Sequence, residues 1–196
     1  MDQLINKHKR EFAADLDSGD YELTEGGLLF PRKSVMAKGM YFHSVNGQDE
    51  QESPNLINDE GILHFLNVVM GATAKIPTWY LALYSGAISP AGSWTAANFT
   101  ANATEITSNT EGYSQTVRQT FVPGVAASGA IDNLASRASF TIACTTSINV
   151  NGAGLLSVST KGGTTGVLLS STRFATQRTL FNADIFQLGY RVTLTG

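Results

Sequence analysis

Cysteine is nearly missing from this sequence of 196 residues: Cys144 is the only one. A lone cysteine excludes an intrachain disulfide and a zinc site made of thiolates alone. Its surroundings, SFTIACTT, predict a small buried apolar group rather than a reactive thiol. No apolar run reaches the length of a membrane-spanning helix, so a membrane is not an expected partner. The opening MDQLINKHKREF interrupts its apolar residues with charge and lacks the h-region of a secretory signal, which makes a reducing cytoplasm the expected setting. Charge is sparse, at 15% of residues, and slightly acidic, with 13 Lys and Arg against 16 Asp and Glu. No basic stripe of the kind that phosphate backbones require is present, so nucleic acid is not an expected partner either.

The residues that usually carry catalysis are equally few. The three histidines, His8, His43 and His64, all precede the strand-rich part of the chain, leaving no imidazole there to activate a serine. His64 falls off the apolar stripe of its helix and reads as a solvated residue. The later carboxylates are Glu105, Glu111, Asp132 and Asp184. Glu105 and Glu111 flank ITSNT and could approach one another across a loop, but surface acids are the plainer reading. NGAGLLS lacks the third glycine and following helix of a dinucleotide site, and KGGTTG lacks the ending of a phosphate loop; both read as β-turns. DEQESPNLINDEG lacks the alternating oxygen ligands of a calcium loop. NFT and NAT match the N-glycosylation pattern, which matters only in a secretory pathway. No catalytic residue, metal or cofactor is therefore expected.

What the chain does have is an uneven charge distribution and 42% hydrophobic residues, enough for a substantial core. Residues 1–60 carry 6 Lys and Arg against 12 Asp and Glu, and residues 61–196 carry 7 against 4. This contrast suggests an acidic arm over residues 1–57 and a compact body over residues 58–196. Within the arm, Leu4, Ile5, Phe12 and Leu16 fit one face of a short helix over residues 3–16. Beyond it, Pro31, Gly39, Gly47 and Pro54 break up clusters that contain Leu28, Leu29, Phe30, Met40, Tyr41 and Phe42. These clusters are too apolar for a solvated tail and too broken for a core, so they are expected to lie on a partner.

The body opens on NDEGILHFLNVVMG, where Ile62, Leu63, Phe65, Leu66, Val69 and Met70 recur at helical spacing. Asp59 is the expected cap and Gly71 the stop, and the apolar face is expected to pack on the sheet. Next, TWYLALYSG alternates Trp79, Leu81 and Leu83 with Tyr80, Ala82 and Tyr84, so both faces of that strand need cover. WTAANFTANATEI suits either a loop or one or two helical turns anchored by Phe99. Further strands are expected near residues 113–121, 137–143, 146–150, 154–160, 166–171 and 188–195. The expected fold is mainly β: an antiparallel β-sandwich or jelly-roll-like body with one packed helix and an extended N-terminal arm.

The order of segments, KGMYFHSVNG, NLINDEGILHFLNVVMG, IPTWYLALYSGAISPAGSWTAANF and TEGYSQTVRQTF, resembles structural proteins of tailed bacteriophage virions. It looks most like head decoration, or capsid cement, proteins. The resemblance covers residues 28–196, and WYLALYSG followed by P-x-x-x-W-T-A-A-N-F is its specific part. It implies a non-enzymatic protein, assembled in the host cytoplasm, that sits on the capsid surface of the virion. Its implied partners are the phage major capsid protein and neighbouring copies of itself. Neck or tail components share related β-domains and are the nearest alternative. A carbohydrate-binding sandwich is a third, and would need Trp79, Trp94, Tyr80 or Tyr84 exposed as stacking platforms. Trp94, after PAGS, is the aromatic expected at the surface, and joins the arm residues as a candidate contact.

Overall fold

The computed structural model describes residues 36–195, together with the backbone of residues 21–23 and 29–31. The chain divides into two compact units, Met1–Met36 with Thr195–Gly196, and Ala37–Leu194. In the smaller unit, β1 (Tyr21–Leu23) and β2 (Leu29–Pro31) form an antiparallel pair with Glu22 opposite Phe30. The helix expected over residues 3–16, and Leu28, lie outside the described residues.

The rest of the chain runs through β3 (Met36–Val45), β4 (Gln48–Pro54), β5 (Leu56–Ile57), helix α1 (Asp59–Val69), β6 (Trp79–Tyr84) and helix α2 (Ala96–Ala103). It continues through β7 (Gly112–Tyr113), β8 (Gln119–Phe121), β9 (Ala130–Asp132), a 3-10 turn at Leu134–Ser136, β10 (Ala138–Ala143), β11 (Ser147–Leu156), β12 (Leu168–Phe181) and β13 (Ile185–Thr195). Two antiparallel sheets result, one ordered β4-β3-β13-β10-β7 with β9 beside β13, the other β5-β12-β11-β6-β8. Tyr41, Phe140, Ile142, Phe186 and Leu188 from the first sheet meet Leu81, Leu83, Ala153, Leu155, Phe174 and Leu180 from the second in one buried cluster. The fold is thus mainly β and sandwich-like, with two helices among the described residues.

Alternation along β6 decides what covers each of its faces. Leu81 and Leu83 enter the cluster between the sheets. Ala82 and Tyr84 point the other way, into a second cluster with Trp94, Ala96, Phe99, Ala103, Leu156 and Leu168. The outer face of β6 is therefore covered by α2 and the turn before it. The Thr95 amide donates to Asn98 Oδ1 at 2.8 Å and starts α2 as a capping box does. Glu60 of α1 adds a second anchor, because its Oε2 accepts from the Ala96 amide at 2.8 Å and from the Leu168 amide at 2.7 Å.

NGAG, expected as a turn, lies inside β11. Its glycines serve clearance, since a methyl group on Gly152 would strike the Tyr84 ring and one on Gly154 the Phe99 ring. The two strands expected on either side of it are one strand of ten residues. KGGTTG does turn, with Gly162 and Gly166 at φ +72° and +93°.

The second departure concerns the arm. Residues 37–57, assigned to it from composition, belong to the sheets of the body as β3, β4 and β5. Asn46 and Gly47, at φ 52° and 73°, form the left-handed two-residue turn that joins β3 to β4. Gly39 is not a breaker: the space a side chain would need there is filled by Asn55 and the Tyr190 hydroxyl. The acidic residues of β4 meet arginines of the body, Asp49 pairing with Arg178 and Glu50 with Arg137. Part of the charge contrast between the two halves is thus settled within one chain.

Candidate protein-binding surface

Helix α1 is anchored at its first turn. Asn58, not Asp59, is the cap residue, with extended backbone at φ −72° and ψ 152°. Its side chain donates to the Ala91 carbonyl at 3.0 Å and accepts from Ser171 Oγ at 2.9 Å. The Asp59 amide donates to the Gly92 carbonyl at 3.1 Å. These bonds hold the helix start against β12 and against the loop that leads into α2.

The orientation of α1 is the reverse of the sequence expectation. Its one buried residue is Gly61, which lies so close to Leu169 that a methyl group would collide with the Leu169 backbone. His64 and Val68, three and seven positions later on the same face, are half-buried. The His64 ring meets Trp79 edge-on at 5.8 Å. The apolar stripe faces outward instead: Ile62, Leu63, Phe65, Leu66, Val69 and Met70 are each between 45% and 83% exposed. Periodicity correctly grouped these six residues, but it cannot say which way a stripe points. Close approach of the helix to β12 requires the small residue underneath, which turns the large ones out.

Together these side chains make one uncharged apolar patch on the order of 500 Å², near the upper range of what a monomer shows in a single patch. No Asp, Glu, Lys or Arg occurs from Gly61 to Ala74. Asp59 is exposed before the patch and Lys75 after it. Such a surface suits a protein contact, since it offers desolvation without any buried charge to compensate.

The contact residues expected from sequence are elsewhere. Trp94 is buried, edge-on to Tyr84 at 6.3 Å and Phe99 at 6.4 Å, and so is no surface platform. Tyr41 is fully buried, with its hydroxyl 2.9 Å from Ser170 Oγ, while Phe42 is buried and Met40 half-buried in β3. All three belong to a strand of the sandwich, because the hairpin turn at Asn46 folds their segment onto it. Leu29 and Phe30 are described by backbone only, in β2.

Glu105 and Glu111 line one open groove with Ser85, Thr107, Ser108 and Asn149, but they do not act as a pair. Glu105 is engaged by Arg118, which is itself fully buried: Nε donates to Oε1 at 2.8 Å and Nη2 to Oε2 at 2.7 Å. Arg118 also donates to the carbonyls of Val158 at 3.0 Å and Gly163 at 3.2 Å. Glu105 accepts further from Thr100 Oγ1 at 2.8 Å and the Gly162 amide at 3.1 Å. Glu111 is exposed and bonds to Thr145. Among the described residues no three His, Cys, Asp or Glu side chains gather into a metal-holding group. No helix among them is long and apolar enough to cross a membrane.

His43 is a buried titratable group that the sequence reading left in the arm. Its ring stacks on Phe174 at 3.8 Å, and its Nδ1 accepts from Arg178 Nε at 3.1 Å, so a neutral ring carries its proton on Nε2, facing Ser53 Oγ at 3.4 Å. Burial first, and the Arg178 charge second, lower its pKa to about 4. In the unfolded chain it titrates near 6.5, so between these values the unfolded state holds the extra proton. The stability tied to neutral His43 is complete above about pH 6.5 and falls, by up to about 3 kcal/mol, as the pH drops to about 4. Urea unfolding at pH 7 and pH 4.5 should show His43→Phe losing less stability between the two than wild type. An equal loss in both proteins would place the acid sensitivity elsewhere.

Compared with known proteins, the chain matched no family model and none of the curated proteins.

Proposed function

We propose that the protein is a non-enzymatic structural component of a tailed-bacteriophage virion that decorates the head shell by binding the major capsid protein. In this reading the sandwich is jelly-roll-like, assembly takes place in the host cytoplasm, and the finished protein lies on the capsid surface. The observation that carries it is the outward apolar face of α1 on a body whose own core is already filled. A monomer gains nothing from holding six large apolar side chains in water, whereas an assembly protein needs such a face ready made. The segment order that resembles head decoration proteins supplies the kind of assembly. Trp94 and Tyr84, two of the four aromatics on which a carbohydrate-binding reading would rest, are buried, and Trp79 and Tyr80 are half-buried.

Two measurements test the proposal. Mass analysis of purified particles should find copies in the hundreds, while about a dozen or fewer would assign the protein to the neck or tail. Sedimentation with undecorated shells should show Leu63→Asp binding at least about tenfold more weakly than wild type, through loss of an apolar contact or of the multivalency that depends on it. Full occupancy of the shell by Leu63→Asp at the wild-type concentration would remove α1 from the account.

A further inference from the structure

We propose that the apolar face of α1 pairs with the same face of a second copy of this chain, with the two helices antiparallel about a two-fold axis at Leu66. This rests on reading the face as a protein contact, as above, and names its occupant.

The first argument is shape. Ile62, Leu66 and Met70 are spaced four apart and form a ridge along α1, and Phe65 and Val69 form a parallel ridge beside it. Two such surfaces interlock when the ridge of each fills the groove of the other, the commonest way in which helices pack. With Leu66 on the axis, Ile62 meets Met70 of the other copy and Leu63 meets Val69. Each contact is apolar, and each occurs twice, as an isologous interface requires.

The second argument is charge. Exposed Asp59 opens α1, no charged residue follows from Gly61 to Ala74, and the helix ends at Val69. An antiparallel pair keeps the two Asp59 carboxylates at opposite ends of the contact and opposes the two helix dipoles favourably. A parallel pair would set Asp59 against Asp59. His64, the titratable group in the middle of α1, lies under the helix against Trp79 and away from the contact.

The third argument is area. Two faces on the order of 500 Å² bury about 1,000 Å² together, at the lower end for specific association. The expected complex is therefore reversible, with Kd between about 1 and 100 μM. Such a dimer doubles the attachment points that each particle presents to a shell, so modest contacts on each half multiply.

The test uses the full chain. Sedimentation velocity at about 100 μM should show dimers, and Leu66→Asp should raise Kd at least about a hundredfold with an unchanged circular dichroism spectrum, because Leu66 is half exposed and outside the core. Under oxidation, Leu66→Cys should cross-link to itself. A mixture of Ile62→Cys and Met70→Cys chains should cross-link faster than either chain alone, which only the antiparallel register explains. Monomers at about 100 μM, or dimers that survive Leu66→Asp, would overturn the inference. Protection of Leu66→Cys from maleimide only when shells are added would also overturn it, while supporting shell decoration. Dimers in this register that fail to bind shells would keep the inference and remove the shell.

Discussion

Arg118→Ala should lower stability by about 3–5 kcal/mol, the usual result of leaving one member of a buried ion pair without its partner. Both side chains are fully enclosed. Among the described residues, Arg118 is the only cation that reaches the Glu105 carboxylate at hydrogen-bond distance; the other donors there are the Thr100 hydroxyl and the Gly162 amide. Alanine would leave that carboxylate buried and also strip donors from the Val158 and Gly163 carbonyls. The double variant Arg118→Met with Glu105→Gln removes both charges, and should lose less than Arg118→Ala alone. Urea unfolding of the three proteins at pH 7 measures the difference. A loss below about 1 kcal/mol for Arg118→Ala would mean that water reaches Glu105 once the guanidinium is gone.

Leu83→Ala comes next in size, at about 2–5 kcal/mol for a large-to-small change in a filled core. Leu83 is fully buried, lies opposite Ala153 in the pairing of β6 with β11, and belongs to the cluster shared by both sheets. The residue directly across the strand pair is itself alanine and cannot fill the space left behind, which favours the upper part of that range. Its carbonyl also accepts from the Ile106 amide at 2.9 Å, which holds the strand in place and limits collapse around the gap. Thermal and urea midpoints should both fall. A midpoint equal to wild type would refute the assignment of this face of β6 to the interior.

Much of the sandwich was legible because its strands alternate. RASFTIA contains β10, where Ala138, Phe140 and Ile142 are buried and Ser139 and Thr141 exposed, and TWYLALYSG contains β6 with a different core on each face. Segments were misplaced where one residue type serves two purposes. Gly152 and Gly154 resemble turn residues in sequence but make room for rings within a strand. Asn46-Gly47 is a hairpin signal, yet it sits among GQDEQESP, whose polarity hides an edge strand paired through Asp49 and Glu50. The candidate surface was legible only by half. Its six residues were grouped correctly by spacing, but the direction of the stripe depends on Gly61 beneath it, a contact with Leu169 that is distant in sequence.

The Glu60 carboxylate has a mechanical consequence. Through one oxygen it ties the start of α1 to the first residue of α2 and the first residue of β12. Asn58 adds bonds to Ala91 and Ser171. A partner that pulls on α1 therefore loads the long strand β12 and the helix behind β6 at the same time, and the force spreads into the hydrogen-bond ladder between β11 and β12 instead of peeling a single helix from the surface. The exposed helix is the grip, and the sandwich behind it takes the strain.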